Sequence, residues 1–385
     1  MTLRIAFVTA ELFTQASGVR VVVESLSREL AALDHETCVF GVTSDGSPDE
    51  VPEWWRGAKT QAFSAQLIKS FGFSTQICAQ VARFKPDIIH VHGIWTFASI
   101  AGLRLKRATG APLIISPHGA LAGASFKQSP QKKRLAMAFY QRKSLLAADG
   151  FHVTSDAEAQ EVLGIAPNAY VQVIRNGVDV GAARIRPMEA RKKRVLALCR
   201  LEPKKGLENL IAAWKQMARH RPDWVLEVRG PDRNGYLNHL KALAATCVDG
   251  QITFSGSVFD AERDAVMADS KLFMLPSENE NFGLTVAEAL SVGTPVIAAT
   301  GTPWSGLVDQ GAGWWTDNRP ETIAHALLHA TSLPDATLEA MGQRGQDWML
   351  RSFRWNDIAS EVVNFYNDIS GCTAQVQPSA MGLCR

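Results

Sequence analysis

Residues 275–301 read LPSENENFGLTVAEALSVGTPVIAATG, and their pattern decides the architecture. An apolar run at residues 271–276 leads into a polar loop, then an amphipathic stretch that starts at Gly283 and stops at Gly293, then a second apolar run at residues 294–299. Strand, loop, helix and strand in that order form the unit of a parallel sheet, because parallel neighbours need a crossover long enough to hold a helix. Glu280 precedes the helix N-terminus and Glu288 lies inside it, with the amides of Gly283, Leu284 and Thr285 between them. First-turn N–H groups have no acceptor within the helix and sit at the positive end of its dipole, so they suit an anion such as phosphate. A carboxylate only accepts hydrogen bonds and suits the two donors of a vicinal diol. A ligand with both phosphates and diols satisfies the set, and a nucleotide sugar is one.

Either glutamate alone reads as an ordinary surface carboxylate. The whole pattern is E-x7-E with F-G just inside, followed by E-A-L-x-x-G-x-P-V-I-A. It resembles the donor-binding signature of the GT-B fold retaining glycosyltransferases of family 4, the group 1 type, which includes many bacterial surface-polysaccharide enzymes. The resemblance implies two Rossmann-like α/β domains facing across a cleft and a nucleoside diphosphate sugar as donor. It also places Asn281 and Phe282 beside the helix amides in the donor site.

A chain of 385 residues is too long for one core and predicts two domains. Hydrophobic content of 46% with 20% charged residues is that of a soluble globular protein with enough apolar material for both. No apolar run reaches membrane-spanning length, and residues 1–13 have strand length with an acidic residue inside, unlike a signal peptide. A cytoplasmic protein is expected. The six cysteines are scattered without a C-x-x-C pair, which argues against a zinc site and a disulfide framework and for reduced thiols.

The net charge of +2 hides an asymmetry. Between Asp87 and Asp149 no acidic residue occurs, while Arg104, Lys106, Arg107, Lys127, Lys132, Lys133, Arg134, Arg142 and Lys143 all fall there. Solvated helix faces are one reading. A cationic surface for an anionic membrane or a lipid-linked diphosphate is the other, each Lys or Arg near anionic lipid being worth about 1 kcal/mol. Nucleic acid is not expected, since the pI is 8.2 and no recognition motif accompanies the charges.

Along the chain, residues 3–10 (LRIAFVTA) predict a strand, and residues 24–33 a helix from the spacing of Leu26, Leu30 and Leu33. The loop between them holds Gly18, where a glycine permits close backbone approach to a ligand or simply makes a turn. In the resembled family this loop, often with two glycines, faces donor and acceptor; here only Gly18 matches. Residues 38–43 read as a second strand and 45–56 as loop. Residues 86–92 form a buried strand with His90 and His92 on one face, read as structural because no third metal ligand accompanies them. A helix follows near residues 98–107. Residues 113–121 (LIISPHGAL) repeat strand then loop and put His118 beyond a strand's carboxyl end, where ligands bind open parallel sheets. The family places this histidine near the transferred sugar, orienting it and helping the positive side of the transition state.

Residues 131–148 predict a basic amphipathic helix and 150–155 a strand, with Glu158 in the next helix. The family carries a similar N-G-V-D at its hinge, here residues 176–179, which puts the boundary near 180. After a basic linker at 184–194, a strand at 195–199 leads to Arg200 and Lys205. Two cations five residues apart at a strand end can converge on a phosphate pair, one as a planar fork and one as a point charge. R-x-x-x-x-K-G here is similar to the family's diphosphate clamp, with Cys199 where glycine or serine is usual. Strands at 225–230 and 251–256 each end in glycine, and the resemblance places Gly256 and Val258 near the nucleotide base through their backbones. A final helix from residue 353 corresponds to the segment that crosses back onto the first domain. Domains are therefore expected at 1–180 and 181–352, with a crossover helix at 353–370 and a tail at 371–385.

The activity implied is transfer of a hexosyl group from a nucleoside diphosphate sugar to an acceptor hydroxyl, with retention. His118, Glu280, Arg200 and Lys205 would be its catalytic residues, and Glu288 the ligand of the ribose. No cofactor or metal is expected, since cations already stand where magnesium would and the chain has no D-x-D triplet. The bacterial resemblance in H-G-I-W and S-P-H-G-A-L suggests a lipid-linked saccharide acceptor at the inner face of the plasma membrane. Alternatives are a nucleotide-sugar epimerase or phosphorylase on the same fold, or an inactive nucleotide-sugar-binding protein. A dinucleotide dehydrogenase and a P-loop enzyme are disfavoured because neither glycine motif occurs.

Overall fold

The structure, a computed structural model, describes residues 2–10, 12–15, 17–43, 51–127, 129–180, 186–232, 234–247 and 250–375. The chain divides into two compact units: residues 1–175 with 355–385, and residues 176–354. The division thus falls at Arg175/Asn176 and Arg354/Trp355 rather than near 180 and 352, so the N-G-V-D segment belongs to the second unit.

Unit 1 is built on seven parallel strands: β1 (Arg4–Thr9), β2 (Glu36–Thr43), β3 (Lys59–Ser64), β4 (Ile88–His92), β5 (Leu113–Ser116), β6 (Gly150–Val153) and β7 (Val171–Val173). Their order in the sheet is β3-β2-β1-β4-β5-β6-β7. Both faces of a parallel sheet are covered by helices, so its inner strands read as unbroken apolar runs. β1 follows that rule, with Ile5, Ala6, Phe7 and Val8 all fully buried.

Unit 2 has six parallel strands: β8 (Lys192–Leu198), β9 (Val225–Arg229), β10 (Ile252–Ser255), β11 (Ser270–Leu275), β12 (Val296–Ala299) and β13 (Gly313–Thr316). Their order is β10-β9-β8-β11-β12-β13. The opening stretch supplies β11, the helix Leu284–Ser291 and β12, with β11 and β12 paired in parallel register. In both sheets the order reverses beside the first strand, at β1/β4 and at β8/β11. Such a switch point opens a crevice beyond the carboxyl ends of the strands, and ligands of open α/β sheets bind there.

Several expected boundaries move. The first helix is Gly18–Ala32, opening at Gly18 with Ser17 as N-cap, so Gly18 is the first helical residue and not a loop position. β3 and the helix Ile77–Phe84 were not expected. Of the loop expected at 45–56, residues 45–50 lie outside the described residues and 51–56 carry neither helix nor strand. The final helix runs Trp355–Gln375, past residue 370, and the remaining ten residues lie outside the described ones. It belongs to unit 1, where the buried Phe365 and Ile369 side chains occupy the space a Cβ on Gly150 would need, so that glycine lets the helix close onto β6.

Candidate active site

At the unit 2 switch point two loops are tied together by their backbones. After β8 the chain makes a tight turn at Pro203–Lys205 and reaches Gly206 at φ +66°, where a Cβ would collide with the Pro276 carbonyl beyond β11. The Glu278 N–H donates to the Lys204 carbonyl at 3.0 Å, and the Glu280 N–H to the Gly301 carbonyl at 2.8 Å. Gly301 also has no room for a side chain, because the Glu278 carbonyl fills the space. These glycines set how closely the loops approach, and thereby the position of both Lys205 and Glu280.

Lys205 and Glu280 form a short ion pair through Glu280 Oε1, and the Ser277 hydroxyl donates to the same oxygen at 2.8 Å. Burial pushes the Glu280 carboxyl up, but Lys205, Ser277 and Lys204 together hold it below the ordinary carboxylate value. The carboxylate is therefore ionised at neutral pH. Lys204 shifts downward, through burial and the neighbouring cations Lys205 and Arg200. Arg200 pairs with Glu202 at 3.1 Å. The family resemblance implies Lys205 at the diphosphate and Glu280 at the sugar hydroxyls; the structure joins the two side chains directly.

Gly283 caps the helix Leu284–Ser291 at φ +78°, and the N–H groups of Leu284 and Thr285 stand in its first turn. Phe282 is placed differently from expectation: its ring is buried against Trp304 and Phe353, and its carbonyl accepts from Trp304 Nε1 at 2.5 Å. Only its backbone is available to a ligand, because the side chain is core. Glu288 is also buried, paired at 2.8 Å with Arg263 of the helix Asp260–Ala268. Arg263 was not expected; it follows Gly256 and Val258 on the next helix, with no motif to mark it. Gly256 faces open space, whereas the Val258 side chain is buried in the core, so that residue too can offer only its main chain.

Unit 1 places His118 directly after β5, at φ +54°. His118 Nε2 lies 3.0 Å from His92 Nδ1, with the two rings stacked at 5.3 Å. His90 bridges the Tyr366 hydroxyl at 2.7 Å and the Ser116 hydroxyl at 2.8 Å, and His152 Nε2 donates to the Ile174 carbonyl at 3.1 Å. The strand pair His90 and His92 is thus part of a four-histidine cluster drawn from β4, β6 and the loop after β5. Among the described residues no three His, Cys, Asp or Glu side chains converge as a metal site would require.

Burial lowers all four histidines, His118 to about 3 with help from His152, and His152 to about 4 against the pull of its bond to Ile174. His118 is therefore neutral at pH 7, with Nε2 engaged by His92. A second residue that sequence reasoning missed holds its loop. Glu158, 1% exposed, accepts the Gly119 N–H at 2.6 Å on one oxygen and the Thr154 N–H at 2.9 Å on the other. Nothing local to residues 156–163 signals that bond, 39 residues away in sequence.

The expected residues thus form two groups. Arg200, Lys205, Glu280 and residues 281–285 gather at the unit 2 switch point, with Glu288 on the same helix and Gly256 and Val258 after the edge strand β10. Gly18, after β1, and His118, after β5, belong to the carboxyl end of the unit 1 sheet.

Two parallel doubly wound sheets with these loops are the GT-B architecture. Residues 17–177 match the family described as Glycosyl transferase 4-like domain, and residues 184–348 the family described as Glycosyl transferases group 1. The chain belongs to the group 1 glycosyltransferases of family 4. A GDP-mannose:cellobiosyl-diphosphopolyprenol alpha-mannosyltransferase of Komagataeibacter xylinus is 24% identical, over 82% of this chain and 77% of that one. A D-inositol 3-phosphate glycosyltransferase of a Nocardioides species is 25% identical, over 91% of this chain and 85% of that one. Among solved structures, sucrose-phosphate synthase of Thermosynechococcus elongatus superposes with a TM-score of 0.77 at 20% identity, covering 96% of this chain and 100% of the other. HepE of Anabaena, solved with UDP-glucose, gives 0.76 at 20% identity, covering 95% and 100%.

Proposed function

We propose that the chain moves a hexosyl group from a nucleoside diphosphate sugar to an acceptor hydroxyl, with retention at the anomeric carbon and without a bound metal. The observation that carries this reading is the environment of Glu280. Oε1 is committed to Lys205 and Ser277, while among the described residues Oε2 has no protein partner. An ionised carboxylate with one oxygen fixed and the other open is suited to accept from a sugar hydroxyl.

Lys205 can serve both neighbours, since an ammonium has three N–H donors and can keep Glu280 on one while giving another to phosphate. As the glycosidic bond breaks, negative charge grows on the departing diphosphate. Lys205, Arg200 and the amides of Gly283, Leu284 and Thr285 are the donors for it, and stabilisation of developing charge is usually the largest catalytic contribution. Glu288, its carboxylate oriented by Arg263, takes the ribose diol. Asn281 flanks the sugar, Gly256 and Val258 offer main-chain atoms to the base, and His118 is a neutral hydrogen-bonding partner for the sugar.

The acceptor in this reading is a lipid-linked saccharide of surface-polysaccharide synthesis, used at the inner face of the plasma membrane. The relatives named for a diphosphopolyprenol support it, as does the acid-free region 88–148. No helix among the described residues is long and apolar enough to cross a membrane. Incubating the chain with UDP- and GDP-sugars and a diphosphopolyprenyl saccharide tests the reading. Acceptor-dependent release of nucleoside diphosphate, insensitive to EDTA and giving an α-linkage from an α-donor by NMR, is the expected result. Product without acceptor would mean an epimerase, product only with inorganic phosphate a phosphorylase, and binding without turnover a non-enzymatic protein.

A further inference from the structure

We infer that one face of unit 1 docks on an anionic lipid surface, through an apolar stripe framed by cations. Its centre is the helical stretch 130–146, in which the α-helix Pro130–Ala136 passes through a wider turn at Met137–Gln141 into Arg142–Leu146. Leu135, Phe139 and Leu146 are 59%, 73% and 53% exposed. Spacings of four and seven residues set them along one side of the helix. The opposite side is anchored: Gln141 accepts from the Trp95 N–H at 2.8 Å and the Ser99 hydroxyl at 3.0 Å.

A second segment joins this face. Gln66 and Phe73 bridge across a loop whose tip carries Leu67 at 90% and Ile68 at 66% exposure. Phe71 of that loop meets Tyr140, the neighbour of Phe139, edge-on at 5.9 Å, so loop and helix are adjacent. Single exposed apolar residues are ordinary. Here five of the ten large apolar side chains left exposed among the described residues belong to two touching segments, and a clustered patch marks an interaction site.

The cations identify the occupant. The structure divides the basic set that the sequence delivers: Lys106 is paired with Asp149 at 2.7 Å, Lys133 donates to Ser125, and Arg104 lies over the Phe97 ring. Lys132, Arg134, Arg142 and Lys143 are exposed on the same stretch as the apolar stripe, and among the described residues none is in an ion pair. An exposed helix with Phe and Leu along one line, cations beside them and no carboxylate from residue 88 to 148 has the make-up of an element lying in a headgroup layer. Nucleic acid would match the charge but leave the stripe in water. The inference gives the lipid-linked acceptor reading a place on the molecule, yet it is read by lipid binding and stands or falls apart from sugar transfer.

The test is sedimentation of the full chain with vesicles of phosphatidylglycerol and phosphatidylethanolamine, against vesicles of phosphatidylcholine alone. Strong binding to the anionic vesicles only, weakened by salt, is expected. Phe139→Asp with Leu135→Asp should weaken binding at least about tenfold, and Arg142→Gln with Lys143→Gln a similar amount at low salt. All four positions are exposed, so unchanged melting temperature and unchanged donor affinity by calorimetry confirm an intact fold and donor site. In Phe139→Trp, quenching by brominated lipid should report entry into the acyl layer. Equal binding to neutral vesicles, undiminished binding by the Asp variant, or preference for single-stranded RNA would overturn the inference. So would a dimer of the wild type that Phe139→Asp splits in sedimentation velocity without loss of vesicle binding.

Discussion

The loops and helices at the unit 2 switch point carry ions that neutralise one another, whereas at the carboxyl end of the unit 1 sheet the half-buried His118 packs on His92, which β4 buries beside His90. In unit 2, Lys205 with Glu280, Arg263 with Glu288 and Arg200 with Glu202 hold charge in place at the end of a sheet. In unit 1, His118, His92 and His90 have given up their protons to burial. In the function proposed above, the two sheets thus have different tasks: unit 2 holds phosphates and diols, and unit 1 offers dipoles without net charge. A buried charge is tolerated only where a partner offsets its lost hydration, while an isolated imidazolium in the same place would be expensive, and that difference separates the two regions.

The largest expected effect falls on the ionic side. Lys205→Ala removes the proposed donor to the diphosphate and leaves the half-buried Glu280 without its cation. Turnover should drop at least about a hundredfold, or about 2.7 kcal/mol, measured beside the melting temperature to show that the variant is folded. Near-normal turnover would remove Lys205 from the mechanism. Glu288→Ala should act on affinity, weakening nucleotide binding by about 1.5–3 kcal/mol in calorimetry, the scale of a hydrogen bond to a charged group. Unchanged affinity would count against the ribose assignment.

On the neutral side, Glu158→Ala strips the Gly119 and Thr154 N–H groups of their acceptor. A loss of about 1–3 kcal/mol of stability is expected in denaturant unfolding, with Glu158→Gln losing less because an amide oxygen still accepts. The smallest effect is graded by pH. The four histidines have folded values below the ordinary 6.5, so the unfolded chain binds more protons as pH falls below that point. Their contribution is complete above about pH 6.5 and is lost between there and the folded values, at up to about 1.4 kcal/mol per pH unit for each group. Melting temperatures measured from pH 7 down to pH 4 should fall, and replacing His152 by Leu should flatten the slope. A melting temperature independent of pH over that range would contradict the neutral cluster.

What could be read from the sequence follows the same division. The donor-side residues cluster in loops after apolar strands, so Arg200, Lys205, Glu280 and the helix start at Gly283 were visible from spacing taken together with the family resemblance. Their pairing was not, because Lys205 and Glu280 are 75 residues apart and only the contact of two loop backbones brings them together. Arg263 had no signal, being one arginine on an amphipathic helix. The histidine cluster was hidden more completely: it needs β4, β6 and the loop after β5 side by side and Tyr366 from the last helix, an arrangement that exists only after the chain has folded. β3 was missed because an edge strand has polar residues on its open side, and KTQAFS holds only Ala62 and Phe63 as apolar residues. The first helix was started six residues late, since the leucine spacing begins only at Leu26 and Ser17 is a weak cap, 3.4 Å from the Arg20 N–H.

In the proposed function the unit 2 switch point binds a nucleoside diphosphate sugar through Lys205, Glu280 and Glu288. The most direct measurement is calorimetric titration of UDP-glucose and GDP-mannose, each with its free nucleoside diphosphate, into the wild-type chain and into Glu280→Gln and Glu288→Ala. The account predicts that Glu288→Ala weakens the sugar nucleotide and the bare diphosphate alike, while Glu280→Gln weakens only the sugar nucleotide. Equal binding of all ligands by all three proteins would contradict it.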